Sequence, residues 1–241
     1  MKEGHCAGID GDQWAQVAQV QGLRVDPPQI LEDRRRSWTL ILAHGAGAPM
    51  DSPFMETIAR RLAGLGVGVI RFEFSYMAQR RLNGGKRPPN PQGVLLERWR
   101  EVYRQVRPLV TGPLAIGGKS MGGRMASLLA DELGADALVC LGYPFHPAGK
   151  PEKPRVEHLA QLRTPTLIVQ GERDALGNRE RVGGYALSVA IALSWQVAGD
   201  HDLKPLKASG FTHDQHLQAT ADRVAGFFAG LPAKNPPGAG G

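Results

Sequence analysis

The sequence predicts a single α/β domain in which helices cover both faces of a mostly parallel central sheet. Three observations lead to this prediction. Short apolar runs alternate with helical patterns along most of the chain, the runs are apolar on both faces, and no internal repeat is present. Strands of this kind are typical of parallel sheets that are covered on both sides. The domain is assigned to residues 1–232, and the Pro/Gly-rich tail 233–241 is predicted to be disordered.

Six apolar segments are predicted as strands because they are short, rich in Val, Ile and Leu, and bounded by glycine, proline or polar residues. They comprise residues 37–44, 67–74, 112–120, 136–144, 164–174 and 192–199. In parallel sheets of this class the chemistry lies beyond the carboxyl ends of the strands. We therefore expect the functional residues immediately after these segments.

The segments between the strands show helical patterns. Apolar residues recur at helical spacing in 53–66, which ends at a glycine. Further helices are predicted from about Gly93 to Pro108, directly after Ser120, over 179–189 despite its glycines, and over 213–231. The segment 75–92 is predicted to be a loop. This alternation of strands and helices is what successive parallel strands require.

The composition is that of a globular domain, since 42% of the 241 residues are hydrophobic and 22% are charged. No apolar stretch approaches the roughly 20 residues that span a bilayer, and no apolar run typical of a secretory signal follows the first residues. Cys6 lies in a segment expected to be loose, and Cys140 lies in an apolar run. We therefore expect no disulfide framework and a cytoplasmic protein.

The net charge of +6 raises the question of an anionic partner. Positive residues concentrate between Arg71 and Arg107, but no zinc-ligand spacing, basic heptad helix or aromatic RNA-binding strand accompanies them. Nucleic acid and membrane are therefore not expected as partners, and the oligomeric state stays open. The excess charge indicates either a solvated basic face or attraction of an anionic small-molecule substrate.

The segment "GGKSMGG" places Ser120 at the junction of a predicted strand and a predicted helix. Gly118 to Gly122 fit the G-x-S-x-G pattern of a nucleophile elbow, in which the serine lies on a sharp turn at the top of the sheet. Free N–H groups at the start of the following helix favour developing negative charge. The alternative is that Ser120 is a helix N-cap and that the glycines serve packing alone.

A serine nucleophile needs an adjacent base, and the base needs an orienting carboxylate. In one known arrangement the carboxylate and then the histidine follow the serine along the chain. Asp174 and His201 follow the fifth and sixth predicted strands in that order, so we assign His201 as general base and then acid, and Asp174 as its orienting group. Most rival residues are expected at turns or on the surface: Glu172, Asp200, Asp202, His158, His213 and His216. His5 is expected to be disordered.

The same chemistry needs an oxyanion hole with two N–H donors. One is expected from the residue after the nucleophile, Met121, and the other from the small-residue loop after the first predicted strand. In that loop Ala46 is the first choice and Gly47 the second, while His44 is expected to support the loop. The alternative is a plain glycine turn.

The combination of "LAHGAG", "GGKSMGG", "GERD" and "GDHDLKP" resembles the α/β-hydrolase superfamily, close to its dienelactone-hydrolase-like branch. The stretch from "CLGYPFHPAGKPEKPR" to "GERD" is similar to a small bacterial group. That group is related to a testis-expressed hydrolase-like protein and to the hydrolase-like domain of a histone-acetyltransferase-complex subunit. The resemblance covers roughly residues 37–230 and implies the α/β-hydrolase fold.

The resemblance also implies Ser120, Asp174 and His201 as a catalytic triad, without a metal or an organic cofactor. The expected activity is that of a serine esterase or thioesterase acting on a small molecule through an acyl-enzyme. A dienelactone hydrolase would have cysteine where this chain has Ser120, which argues against that activity. The alternatives are a hydrolase-fold scaffold that binds partners and a cofactor-free haloperoxidase-like side activity.

The segment between the fourth and fifth predicted strands is too short for a helical cap, so an open site is expected. Tyr143, Phe145 and His146 leave the fourth strand and either line the site or pack the loop against the body. Lys119 and Arg124 flank the nucleophile. Together with the basic loop 75–92 they are candidates for binding an anionic ester.

Overall fold

The computed structural model describes residues 11–29 and 37–232, and its centre is a seven-stranded sheet. Along the sheet the strand order is β1-β3-β2-β4-β5-β6-β7. The edge strand β1 runs antiparallel to β3, and every other pairing is parallel. The strands are β1 (Leu23–Asp26), β2 (Thr39–Ala43), β3 (Gly68–Phe72), β4 (Leu114–Lys119), β5 (Ala137–Leu141), β6 (Thr166–Gly171) and β7 (Ile191–Gln196).

Helices connect the strands and cover the sheet. They are α1 (Gly11–Gln19), α2 (Pro53–Gly64), α3 (Ser75–Asn83), α4 (Gln92–Val106), α5 (Met121–Ser127), α6 (Arg179–Val182) and α7 (His213–Gly230). None of them, within the described ranges, is long and apolar enough to cross a membrane. The segment between β5 and β6 contains one short 3₁₀ turn, Glu157–Gln161, and no cap domain.

Two hydrophobic cores lie on opposite faces of the sheet because alternate strand residues point to opposite sides. In β2, Ile41 and Ala43 join the core under α1, α4, α5 and α6. Leu40 and Leu42 join the core under α2 and α7. The predicted fold class is therefore confirmed, including the helices on both faces and the six parallel strands.

The N-terminal segment differs from the prediction. Residues for which no element was predicted form α1, whose Trp14 and Val17 are buried, and the edge strand β1. β1 has only four residues and is partly exposed. Its sequence therefore shows little of the alternation of apolar and polar residues that would predict a strand. The ion pair between Asp26 and the buried Arg71 fixes β1 to β3.

Three connections also differ from the prediction. The first part of the predicted loop 75–92 is the helix α3, because Tyr76 and Met77 are buried and Arg81 pairs with Glu73. The predicted helix 179–189 is helical only in α6, which ends before two glycines. The helix after Ser120 is short and continues as turns.

Some sequence-based expectations concern residues outside the described ranges. These are the tail 233–241, the histidine at position 5 and the cysteine at position 6. Cys140 is a free, fully buried thiol in β5, and burial raises its pKa. Its surroundings fit the expectation of a small buried hydrophobe.

Candidate active site

Ser120 lies between β4 and α5 with a backbone conformation that L-residues rarely adopt. Its φ is 50° and its ψ is −116°. Such strain costs on the order of 1–3 kcal/mol and persists only where the surrounding structure enforces it. Here the Ser120 N–H donates to Leu141 O at 2.9 Å, and Ser120 O accepts from Arg124 N at 3.0 Å. The turn therefore holds the hydroxyl at the carboxyl edge of the sheet.

The glycines around Ser120 allow the turn to pack closely against β2. A Cβ at Gly118 would lie 2.6 Å from Ala43 O, and one at Gly122 would lie 2.5 Å from His44 O. Real side chains do not tolerate such contacts with backbone. The G-x-S-x-G pattern thus has a steric cause, as its interpretation as a nucleophile elbow requires.

The structure brings Ser120, His201 and Asp174 into one hydrogen-bonded chain. His201 Nε2 lies 2.8 Å from Ser120 Oγ, and His201 Nδ1 lies 2.8 Å from Asp174 Oδ2. A carboxylate only accepts, so Nδ1 carries the proton and Nε2 is free to accept from the serine hydroxyl. The three side chains come from three different strand ends and meet in the order that nucleophilic catalysis needs.

Asp174 is completely buried and held from two sides. Gln170 Nε2 donates to Asp174 Oδ2 at 2.8 Å, and Leu176 N donates to Asp174 Oδ1 at 2.8 Å. Gln170 was not anticipated from the sequence, although a polar residue inside the otherwise apolar strand β6 is a usable signal. Its amide also bonds to the backbone of Tyr143, so it ties the loops after β5 and β6 together.

The rival carboxylates have other partners. Glu172 accepts from Arg179 at 2.7 Å and from Ala198 N at 3.0 Å. Asp200 accepts from two backbone N–H groups of the His201 turn, which agrees with a turn-forming role. Asp202 pairs with Lys119 at 3.1 Å.

Lys119 does not face a substrate, which corrects its assignment as a binding residue. It is buried, and its ammonium donates to His201 O at 2.8 Å while pairing with Asp202. Burial lowers the pKa of Lys119, and Asp202 opposes that effect. The side chain joins the nucleophile strand β4 to the loop that carries His201.

The remaining histidines divide into supporting and peripheral residues. His44 is buried, and burial lowers its pKa, so the ring stays neutral. His213 bonds to Asp202 O at 2.9 Å. His216 is buried and bonds to Leu203 O at 2.8 Å, so its expected surface position is wrong. Its helix face packs on the core, which the single sequence does not reveal.

The loop expected to form the oxyanion hole is anchored through its carbonyl groups. His44 Nδ1 donates to Gly45 O at 2.6 Å, and the Tyr76 hydroxyl donates to Ala46 O at 2.9 Å. The N–H of a trans peptide points away from its C=O. The N–H groups of Ala46 and Gly47 therefore point away from these anchors, on an exposed stretch of the loop.

The N-terminal end of α5 supplies the other expected donor. Met121 is its first residue, so its N–H has no partner within the helix. A Cβ at Gly45 would lie 3.6 Å from Ser120 Cβ, which shows that the two donor segments adjoin. The sequence did not point to Tyr76, because a tyrosine in a presumed basic loop carries no distinctive signal.

Three candidate substrate-lining residues are buried. Tyr143 and Phe145 have no exposed surface, and their rings contact each other at a centroid distance of 4.8 Å. His146 is almost buried and bonds to Pro147 O at 2.9 Å. Substrate lining is therefore wrong for these side chains, and packing of the loop against the body is the interpretation that their burial supports. Arg124 is half-buried next to the elbow.

A second serine–histidine pair lies at the other end of α5. Ser127 Oγ lies 2.9 Å from His158 Nε2, and the Ser127 hydroxyl donates to Arg124 O at 2.8 Å. Both residues line a surface cavity of about 430 Å³. Burial, followed by the charge of Arg124, lowers the pKa of His158 to about 4. His158 was expected to be exposed, but it is half-buried.

The fold and the elbow define a class of α/β proteins whose polar site lies at the carboxyl edge of the sheet. A family model described as an alpha/beta hydrolase domain matches residues 36–229. The match covers most of the chain, so the chain belongs to the α/β-hydrolase family.

Solved structures agree with this assignment of the fold. An alpha-beta serine hydrolase homologue from Coxiella burnetii has a TM-score of 0.64 and 20% identity, over 84% of this chain and 89% of that one. A serine hydrolase without a lid from Xanthomonas campestris has a TM-score of 0.62 and 22% identity, over 88% and 90%. A dienelactone hydrolase from Anabaena variabilis has a TM-score of 0.63 and 19% identity, over 86% and 90%.

Proposed function

We propose that the protein is a serine hydrolase that cleaves a carboxylic ester or thioester of a small molecule through an acyl-enzyme. One observation carries this proposal: the unbroken hydrogen-bond chain from buried Asp174 through His201 to the strained Ser120. Strained residues with this geometry cluster at active sites. A residue that served only to cap α5 would not need that chain, and Ser120 makes no side-chain cap bond.

In the proposed reaction Ser120 Oγ attacks the scissile carbonyl carbon while His201 Nε2 takes the hydroxyl proton. Asp174 stabilises the imidazolium that forms. The negative charge on the carbonyl oxygen is held by the N–H groups of Met121 and of Ala46 or Gly47. His201 then gives its proton to the leaving alkoxide or thiolate, which departs and leaves Ser120 acylated.

Deacylation reverses the roles. His201 accepts a proton from water, and the resulting hydroxide adds to the acyl carbon. The tetrahedral intermediate collapses, Ser120 receives the proton from His201, and the carboxylic acid leaves. No step in this scheme draws on a metal or an organic cofactor. The described segment between β5 and β6 contains no cap domain, which fits a substrate that enters from solvent.

Finer assignments belong to the same proposal. The narrow kinship with the testis-expressed and acetyltransferase-complex proteins depends on the "YPFHP" and "GKPEKPR" motifs. A reducing cytoplasm is supported by the buried free thiol of Cys140. A single domain over residues 1–232 is supported by one sheet that joins residues 23–196.

The test is covalent labelling with a fluorophosphonate probe, followed by hydrolysis of a panel of matched esters and thioesters. Wild type is expected to be labelled once, at Ser120, and Ser120→Ala is expected to lose both labelling and turnover. Ser127→Ala is the matched control, because Ser127 also touches a histidine and lies on the same helix. It is expected to keep both properties.

An unlabelled wild type with native circular dichroism would reject the proposal and favour a scaffold of the hydrolase fold. Labelling that survives Ser120→Ala but is lost in Ser127→Ala would move the nucleophile to the second pair. The ratio of thioester to ester turnover then selects between the two substrate types, since both use the same residues.

A further inference from the structure

Two cations of the predicted basic region form ion pairs with carboxylates. Lys119 pairs with Asp202 at 3.1 Å. Arg81 pairs with Glu73 at 2.6 Å and with Asp51 at 2.8 Å. These side chains are therefore not free to attract a substrate, although the sequence places them in the basic region around the site.

Arg124 differs from these cations. Its Nη1 donates to the neutral amide of Gln92 at 3.1 Å, and its Nε is buried without a hydrogen-bond partner. Within the described ranges no carboxylate lies within ion-pair distance of its guanidinium. A buried N–H of a cation without an acceptor costs more than an unpaired neutral group.

Arg155 adds a second positive charge close to Arg124. Burial lowers the pKa of Arg124, and the charge of Arg155 lowers it further. Arg155, like Arg124, has no ion pair in the part of the chain that the structure describes. It is half-buried, and its backbone is fixed by Phe145 O and the Tyr143 hydroxyl. Because the two half-buried cations repel each other, a bound anion would stabilise both of them.

Backbone hydrogen bonds place both arginines near the carboxyl edge of the sheet. Arg124 is in the first turn of α5, and its N–H donates to Ser120 O. Long side chains on a helix lean toward the N-terminus, which here is the end with Ser120. Arg155 lies in the loop after β5, and its N–H donates to Phe145 O, which follows the end of that strand closely.

We propose that Arg124, assisted by Arg155, binds an anionic group of the substrate at a distance from the scissile carbonyl. This inference rests on the proposed hydrolase function and names its substrate class. The substrate is an ester or thioester that carries a second, non-reacting carboxylate or phosphate. The guanidinium fork suits such oxyanions because it donates two parallel hydrogen bonds.

The test compares two 4-nitrophenyl esters with acyl chains of equal length. One is the valerate, which is neutral, and the other is the hemiglutarate, which ends in a carboxylate. A third ester ending in a phosphonate distinguishes the two anion types. Wild type is expected to favour an anionic ester in kcat/KM. Arg124→Gln is expected to reduce the anionic-to-neutral ratio about tenfold or more, and Arg155→Gln to reduce it less.

Arg104→Gln is the matched control, because Arg104 is an exposed helical arginine paired with Glu97. It is expected to keep the wild-type ratio. Arg124→Lys retains a charge without the fork and is expected to keep part of the preference. Higher ionic strength is expected to reduce the wild-type ratio. Equal kcat/KM values for the esters in wild type, or an unchanged ratio in Arg124→Gln, would overturn the inference.

A calorimetric titration separates this inference from the proposed reaction. Glutarate is titrated into Ser120→Ala, which cannot form an acyl-enzyme, and into Ser120→Ala combined with Arg124→Gln. Binding that requires Arg124 would support the anion site even if no ester is hydrolysed. Hydrolysis without any charge preference, and without glutarate binding, would keep the hydrolase and reject the anion site.

Discussion

Two serine–histidine pairs flank the helix α5, and their serine–imidazole distances are nearly equal. Ser120 lies 2.8 Å from His201, and Ser127 lies 2.9 Å from His158. The first pair continues to the buried carboxylate of Asp174. In the second pair the described hydrogen bonds of the ring run through Nε2 only, to Ser127 and Tyr143. A short distance alone therefore does not identify a nucleophile.

The direction of proton donation separates the two pairs. The Ser127 hydroxyl gives its single proton to Arg124 O, so His158 Nε2 must donate to Ser127 rather than accept from it. That histidine cannot act as a base toward Ser127 in this arrangement. His201 has its Nδ1 on a carboxylate and its Nε2 free for Ser120. Only the first pair therefore has the geometry that the proposed reaction requires.

The largest effect is expected from Asp174→Asn. The first pair would then lack an orienting carboxylate, as the second pair does. The amide would donate to the imidazole and favour the wrong tautomer, so kcat is expected to fall by about 10⁴-fold. The measurement is steady-state kinetics on the best ester of the panel. Glu172→Gln is the control, because Glu172 shares the loop but bonds to Arg179 and is expected to have little effect. A comparable loss in both variants would disprove the assignment of Asp174.

A smaller effect is expected from Tyr76→Phe. This variant tests whether Tyr76 holds the loop of the proposed oxyanion hole, which lies beside the first pair and has no counterpart described at the second. Removing the hydroxyl frees the carbonyl of Ala46 and lets the peptide plane that carries the Gly47 N–H rotate, while His44 still holds Gly45 O. We expect kcat to fall about 10- to 100-fold with little change in KM, because loss of a single oxyanion donor costs about 10²–10³. A lower thermal stability with an unchanged kcat would indicate that Tyr76 has a packing role only.

The smallest effect is expected on the pH dependence of the free energy of unfolding, and it arises from His158 of the second pair. Folding holds His158 neutral, with a pKa of about 4, while in the unfolded chain the same imidazole takes up a proton below its ordinary pKa of 6.5. The unfolded state therefore binds more protons, and the free energy of unfolding falls as the pH decreases from 6.5 to about 4.

His158→Gln should flatten this decline without removing it, because burial also lowers the pKa of His44. The measurement is urea unfolding at several pH values across that window. The pH profile of ester hydrolysis should stay that of wild type, since His158 takes no part in the proposed reaction. A shifted pH profile of hydrolysis in this variant would show that His158 influences the reaction, which contradicts the functional separation of the two pairs.

The elements that the sequence predicted well are those whose pattern is local. The strands β2 to β7 are apolar runs between turn residues, and they lie close to their predicted bounds. The elbow was equally visible, because only glycines fit beside Ser120 and so leave a fixed spacing in the chain. The positions of Asp174 and His201 followed from the rule that chemistry lies beyond strand ends.

The elements that were missed depend on partners distant in sequence. β1 is a strand only because β3 offers it an antiparallel edge. The helix α3 is stabilised by the ion pairs that Arg81 forms with Glu73 and Asp51. Charge alone led to the opposite prediction, since an isolated basic segment is expected to be solvated.

By itself the sequence determined the layered α/β architecture and the turn that carries Ser120, since periodicity and glycine spacing are local properties of a chain. Only the tertiary structure decided which cations are paired and which stay free, as Lys119 and Arg124 show. It also buried Tyr143 and chose Asp174 over Glu172 as the partner of His201. These outcomes depend on distances between residues far apart in the chain, and those distances exist only after the sheet has assembled.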